Sequence, residues 1–127
     1  MSRFLSLAAL AAASMLSVSV SHAGDLTPVG QWQTTTGESR YEVSYCGTDI
    51  CAKLVWLRAD ARTPDNLAYL NTYVVKGARQ VSENKWSGKV RYEGETIGGS
   101  MTMTDAQSLK LQGCKIVFCQ TVEFQRI

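Results

Sequence analysis

Two Cys-x4-Cys pairs hold the only cysteines of the chain: Cys46 with Cys51, and Cys114 with Cys119. No other feature limits the fold as much. Cysteines five positions apart, on either side of a short loop, suit the two arms of one hairpin, so we favour the pairings Cys46–Cys51 and Cys114–Cys119. Four cysteines allow three pairings, and spacing alone does not choose among them. The first loop, Gly47-Thr48-Asp49-Ile50, has turn chemistry. The second, Lys115-Ile116-Val117-Phe118, is apolar and less typical of a turn. Two rival readings stand beside the staples. One is a four-thiolate zinc site. The other is a redox pair, although that motif usually places two residues between its cysteines and here there are four. As short-loop staples, each disulfide contributes about 2 kcal/mol and serves chiefly to fix a hairpin end.

The first 23 residues bear on the choice. Arg3 gives a positive start, an Ala- and Leu-rich run follows from Phe4 to about Val20, and Ser21-His22-Ala23 presents small residues where a signal peptidase reads. This predicts a secretory leader cut after Ala23, leaving one domain over 24–127 in the periplasm. The run is too short and serine-interrupted for a membrane span. An oxidising compartment favours disulfides over thiolates. Losing Arg3 lowers the formal net charge of +2 by one, too neutral for a dedicated nucleic-acid binder. Losing His22 removes the only histidine. That excludes Ser-His-Asp and Cys-His catalysis, histidine metal ligands and a histidine pH switch from the mature chain.

The rest of the chain reads as short strands. Tyr41, Val43 and Tyr45 alternate with Arg40, Glu42 and Ser44, and Met101 and Met103 alternate with Thr102 and Thr104. Turn residues punctuate the chain every ten to fifteen positions or so. We expect eight strands: 30–35, 40–46, 51–57, 74–81, 86–92, 97–104, 108–114 and 120–126. The exception is Arg62-Thr63-Pro64-Asp65-Asn66-Leu67-Ala68-Tyr69-Leu70. There Thr63 can cap and Pro64 can open one short helix, over about 63–71. Sequential antiparallel strands with one polar face predict an all-β fold, a small eight-stranded antiparallel up-and-down barrel. A two-sheet sandwich is the alternative.

Gly30-Gln31-Trp32 at the first strand resembles the Gly-x-Trp signature of lipocalin-like barrels, where the tryptophan packs at the barrel base beneath an arginine of the last strand. Arg126 stands on the parity of Val122 and Phe124, so it can take that place over Trp32; the rival is a solvated terminal arginine. A wider set of residues resembles the DUF2147 family of small exported bacterial proteins. It comprises Gly30-x-Trp32, then Cys46 and Cys51 leading into Lys53-Leu54-Val55-Trp56-Leu57. It continues with Trp86-Ser87-Gly88-Lys89-Val90-x-Tyr92, Leu109-x-Leu111-x-Gly113-Cys114, Cys119 and Phe124-x-Arg126. The chain departs from the pattern at Ala52, at Phe124, and in a shortened stretch between the third and fourth strands. The resemblance implies a lipocalin-like barrel and no activity.

Candidate sites are few. Tyr41, Tyr45, Trp56, Trp86 and Tyr92 either line a cavity or fill the core. With about six to eight residues per strand, such a barrel is expected to be mostly plugged, leaving a small cavity near one mouth. The ligand mouth is placed at Trp56, Tyr69, Trp86 and Tyr92, beside the 58–72 connection, whose helix is expected to lid it. Lys76, Arg79, Lys85, Lys89 and Arg91 form a basic hairpin that could meet an anionic partner; its plainer role is a solvated wall. Glu93 and Glu95 could share a face, the least that acid–base work or Ca²⁺ binding needs. No catalytic residue, metal site or cofactor is expected. The reading is a monomeric, non-enzymatic periplasmic protein that binds a small apolar or amphipathic ligand at the barrel mouth. The alternative is a protein-directed factor, such as a periplasmic protease inhibitor or an envelope-stress interaction protein.

Overall fold

The structure is a computed structural model that describes residues 26–127. The expected leader, its cut after Ala23 and His22 lie outside the described residues. Eight strands follow one another: β1 (Gly30–Thr34), β2 (Ser39–Cys46), β3 (Asp49–Leu57), β4 (Tyr73–Ser82), β5 (Lys85–Tyr92), β6 (Glu95–Asp105), β7 (Ser108–Lys115) and β8 (Phe118–Arg126). Each pairs antiparallel with the next. β8 returns to β1 with Trp32 opposite Arg126, so the sheet closes as an up-and-down barrel. The barrel, rather than the sandwich, is the fold.

Alternation explains the inner face. Val43 on β2, Val90 on β5, Met101 and Met103 on β6, Leu109 on β7 and Phe124 on β8 are all buried. The chain breaks the period on β4, where Val75 and Ala78 are both buried across a register shift, and on β3. Leu54 and Leu57 are both buried although they lie three apart. A bulge reconciles them: Tyr41 pairs with Leu54 while Arg40 pairs with Trp56, so Val55 is the extra residue.

The connection between β3 and β4 holds a 3-10 turn at Ala59–Ala61 and a single helical turn, α1 (Pro64–Leu67). The Thr63 hydroxyl accepts from the Asn66 N–H and Pro64 opens the turn, as the sequence suggests. The helix is shorter than the expected 63–71. Hydrogen bonds within the connection past Ala68 span three residues, and Asn71 takes a left-handed φ of 64° that ends the run. Among the described residues no helix is long and apolar enough to cross a membrane.

Chain direction sorts the loops to two ends. At one end lie the start of β1, the β2–β3, β4–β5 and β6–β7 turns and the end of β8. At the other lie the β1–β2, β5–β6 and β7–β8 turns and the long 58–72 connection. The first end is closed. Trp32 has no exposed surface, and its indole N–H donates to the Pro28 carbonyl at 2.8 Å. The Arg126 guanidinium lies over the Trp32 ring, 4.3 Å from its centroid. It donates to the Val29 carbonyl at 2.8 Å, to Thr27 at 2.7 Å and to Ala106 at 2.9 Å. Arg126 therefore ties the segment before β1, the β6–β7 turn and the buried ring into one plug. Gly30 has a φ of 143°, and a Cβ there would stand 2.6 Å from the Arg126 Nη1. The glycine of Gly-x-Trp leaves room for the arginine.

Candidate functional site

The open end is a cavity of about 1140 Å³. This corrects the expectation of a barrel mostly plugged by its own side chains. Strand length is the reason: β3 and β8 have 9 residues, β4 has 10 and β6 has 11, so the upper barrel rises above the core. The large rings also collect below. Trp32 and Trp86 fill the closed half, leaving Leu54, Leu57, Val90, Leu111 and Val122 to line the upper half.

The cavity floor carries hydroxyls on an apolar wall. Tyr41 meets Phe124 edge to face, with ring centroids 5.3 Å apart. The Ser39 hydroxyl donates to the Tyr41 oxygen at 3.4 Å. Burial pushes the Tyr41 phenol above its ordinary pKa of 10.0, and the Ser39 contact offsets part of that rise. Thr34 shapes the adjoining β1–β2 turn: its Oγ1 accepts from the Glu38 and Ser39 N–H groups at 3.1 and 3.2 Å.

The rim is built from the loops. Arg58 anchors the long connection: it holds the Asp60 carboxylate through Nε at 2.5 Å and Nη2 at 2.9 Å, and it donates to the Thr36 carbonyl at 3.0 Å. The Asp60 carboxyl is lowered by that hydrogen bond. Across the mouth, the Tyr69 hydroxyl accepts from the Gly94 N–H, and the Tyr92 hydroxyl donates to the Gln120 Oε1. The Tyr92 phenol is raised, first by desolvation and then by the Glu93 carboxylate beside it. Glu93 and Gly94 both take left-handed φ, 50° and 77°. That geometry suits a two-residue hairpin loop, but it favours Asn or Gly at the position Glu93 holds. A side recess of about 140 Å³ continues the cavity between Ile97, Gly113 and Phe118.

Of the four residues expected at the mouth, Tyr69 and Tyr92 border the cavity and the two tryptophans do not. Trp56 follows the β3 bulge onto the outer face, where the Arg40 guanidinium covers it at 4.4 Å. Trp86 opens β5 at the closed end with its ring turned inward, so it is core. Tyr45 is exposed at the closed end, and Tyr41 is the aromatic on the cavity floor. Lys76, Arg79, Lys85, Lys89 and Arg91 are all exposed on the neighbouring strands β4 and β5. Glu93 and Glu95 do not act together: Glu95 is held by Lys115 at 2.5 Å, while Glu93 faces Tyr92. Cys46–Cys51 staples the closed end and Cys114–Cys119 the open end.

Sequence reasoning missed the Arg58 anchor, for which the close spacing of Arg58 and Asp60 was the available signal. It also missed the β7–β8 tip, where Ile116, Val117 and Phe118 are 92%, 95% and 65% exposed. Chemically, the cavity offers hydroxyls and carboxylates. The described residues contain no histidine, and all four cysteines are disulfide-bonded. Among the described residues no group of three or more His, Cys, Asp or Glu side chains could hold a metal ion.

A family model described as an uncharacterised protein conserved in bacteria, DUF2147, matches residues 30–126, and the chain belongs to that family. Comparison with curated proteins and with solved structures found no match.

Proposed function

We propose that the protein is a non-enzymatic periplasmic binding protein that takes a small apolar or amphipathic molecule into the open end of its barrel. One observation carries this reading: a cavity of about 1140 Å³, with Leu54, Leu57, Val90, Leu111 and Val122 on its inner wall and a polar rim, opens at one end while Trp32 and Arg126 seal the other. Ligand cavities typically span roughly 300–1,000 Å³, so the space suits a molecule with a medium-length alkyl chain or a few rings. The pairing of Gly-x-Trp with an overlying arginine supports a lipocalin-like relation. The leader-like residues 1–23 support export. Native mass spectrometry of protein purified from its own host tests the proposal, together with displacement of a neutral naphthylamine dye. A copurified apolar molecule and a displaced dye are expected. A bare mass with no dye response would count against the reading.

A second reading, a protein-directed factor such as a periplasmic protease inhibitor or envelope-stress interaction protein, is favoured by the β7–β8 tip. Three apolar residues project into solvent on a hairpin end fixed by Cys114–Cys119. The basic wall of Lys85, Lys89 and Arg91 is the other surface open to a partner. Pull-down from periplasmic extract would recover a partner with the native tip and lose it with Val117→Asp or with the three cations changed to Glu. Recovery of nothing in any arm would weaken this alternative.

A further inference from the structure

The cavity mouth has a charge of its own. The charged residues lining it are Glu38, Asp65, Glu93, Glu123 and Arg91; the rim also carries Arg58 paired with Asp60, and the side recess Glu95 paired with Lys115. Two of the lining carboxylates are also engaged: Glu38 lies 3.9 Å from Arg58, and Glu123 lies 3.6 Å from Lys110 on the outer face. Arg91 alternates with the inward Val90 and Tyr92, so it shares the outward parity of Lys85 and Lys89. The charge left at the opening is that of Asp65 on α1 and Glu93 on the β5–β6 turn.

Tyr69 and Tyr92 line the cavity together with Glu93. Tyr69 is tethered to the turn through Gly94, and Tyr92 is tethered to β8 through Gln120. Aromatic faces beside a carboxylate attract an ammonium group, because the ring quadrupole and the anion act on it in the same sense. The backbone adds a separate clue. Glu93 occupies a left-handed φ of 50° that Asn or Gly would hold with less strain. Strain kept at a rim position calls for a role for that particular carboxylate.

We propose that the ligand is an amphiphile whose apolar body fills the barrel and whose ammonium head sits at the mouth among Tyr69, Tyr92 and Glu93. The proposal rests on the cavity being a ligand site and names the head group that site selects. Carboxylate-headed chains, such as free fatty acids, are turned away by the same charge.

Three decyl probes of one chain length, each below its micelle concentration, test this by dye displacement and calorimetry: decyltrimethylammonium, uncharged decyldimethylphosphine oxide and decanoate. The cation should bind roughly tenfold more tightly than the neutral probe, the sum of an exposed charge contact and two ring contacts, and decanoate should bind weakest. Within the Glu93→Gln variant the cation should lose its advantage over the neutral probe, and 1 M salt should narrow the gap in the native protein. Equal binding of all three, or decanoate binding most tightly, would overturn the head-group assignment and leave the cavity as a ligand site. No binding of any probe would overturn both.

Discussion

At the closed end, Trp32 has no exposed surface and Arg126 reaches three backbone carbonyls. At the open end, Tyr92 and Val122 stand more than a third exposed, and the Ile116–Phe118 tip lies in water. The backbone divides in the same way. Asn71, Glu93 and Ile116, the non-glycine residues with left-handed φ among those described, all lie in open-end connections. Packing and satisfied polar groups collect where the barrel is sealed. Most of the exposed large apolar side chains and all three left-handed non-glycine residues among those described lie where it is open, while Tyr45, Val81 and Ile127 are exposed at the closed end. A protein selected for stability alone would have no reason to keep the second arrangement, which is the usual mark of a surface held ready for contact.

The largest test of this contrast is Trp32→Ala. Emptying the plug should cost about 3–5 kcal/mol in urea unfolding, whereas Tyr69→Ala at the mouth should cost less than about 1.5 kcal/mol. An unchanged melting temperature for Trp32→Ala would remove the closed end's special status. Next comes Arg126→Met, which keeps apolar bulk over the ring but deletes its donors. We expect a loss of about 2 kcal/mol, with dye binding at the other end intact. Glu93→Asn should move stability the opposite way. Relief of the left-handed strain should stabilise the fold by up to about 1 kcal/mol, seen as a raised melting temperature; a lowered one would mean that Glu93 is held by packing.

The smallest effect is in the alkaline range. The folded Tyr41 phenol has its pKa raised above 10.0, so the unfolded chain gives up that proton first as pH climbs. Stability present below pH 10.0 therefore declines as pH rises through the folded value. Tyr41→Phe should flatten that decline in thermal melts run at stepped pH. An identical slope in the two proteins would place the loss elsewhere.

How much of this the sequence disclosed follows from the range of the interactions. Strands were legible because alternation is local: Tyr41/Val43 and Met101/Met103 state their face within three residues. The plug was legible because Gly30, Trp32 and Arg126 each carry a distinctive constraint, on space, bulk and parity. The mouth was not. Trp56 reads as an inward aromatic until the Val55 bulge turns it out under Arg40, and a bulge depends on the partner strand. Trp86 looked like a mouth residue because its strand direction places it at the closed end only once the order of turns is known. The cavity itself comes from strand lengths that exceed the estimate by one to three residues on half the strands. An error of that size at strand boundaries is enough to turn a filled barrel into a hollow one.

The barrel's closure has a consequence for how the chain acquires its shape. Seven of the eight strand pairings join neighbours in sequence, while the β1–β8 seam pairs only three residues of each strand. The Arg126–Val29 bond that locks it joins positions 97 apart. Hairpins of a few residues form quickly, and a contact that spans nearly the whole domain must wait for the chain's ends to meet. The sheet should therefore assemble as an open ribbon and cyclise last. Burial of the Trp32 ring, followed by its fluorescence, becomes the clock of that final step, and both disulfides, each inside a single hairpin, can form before it without hindering it.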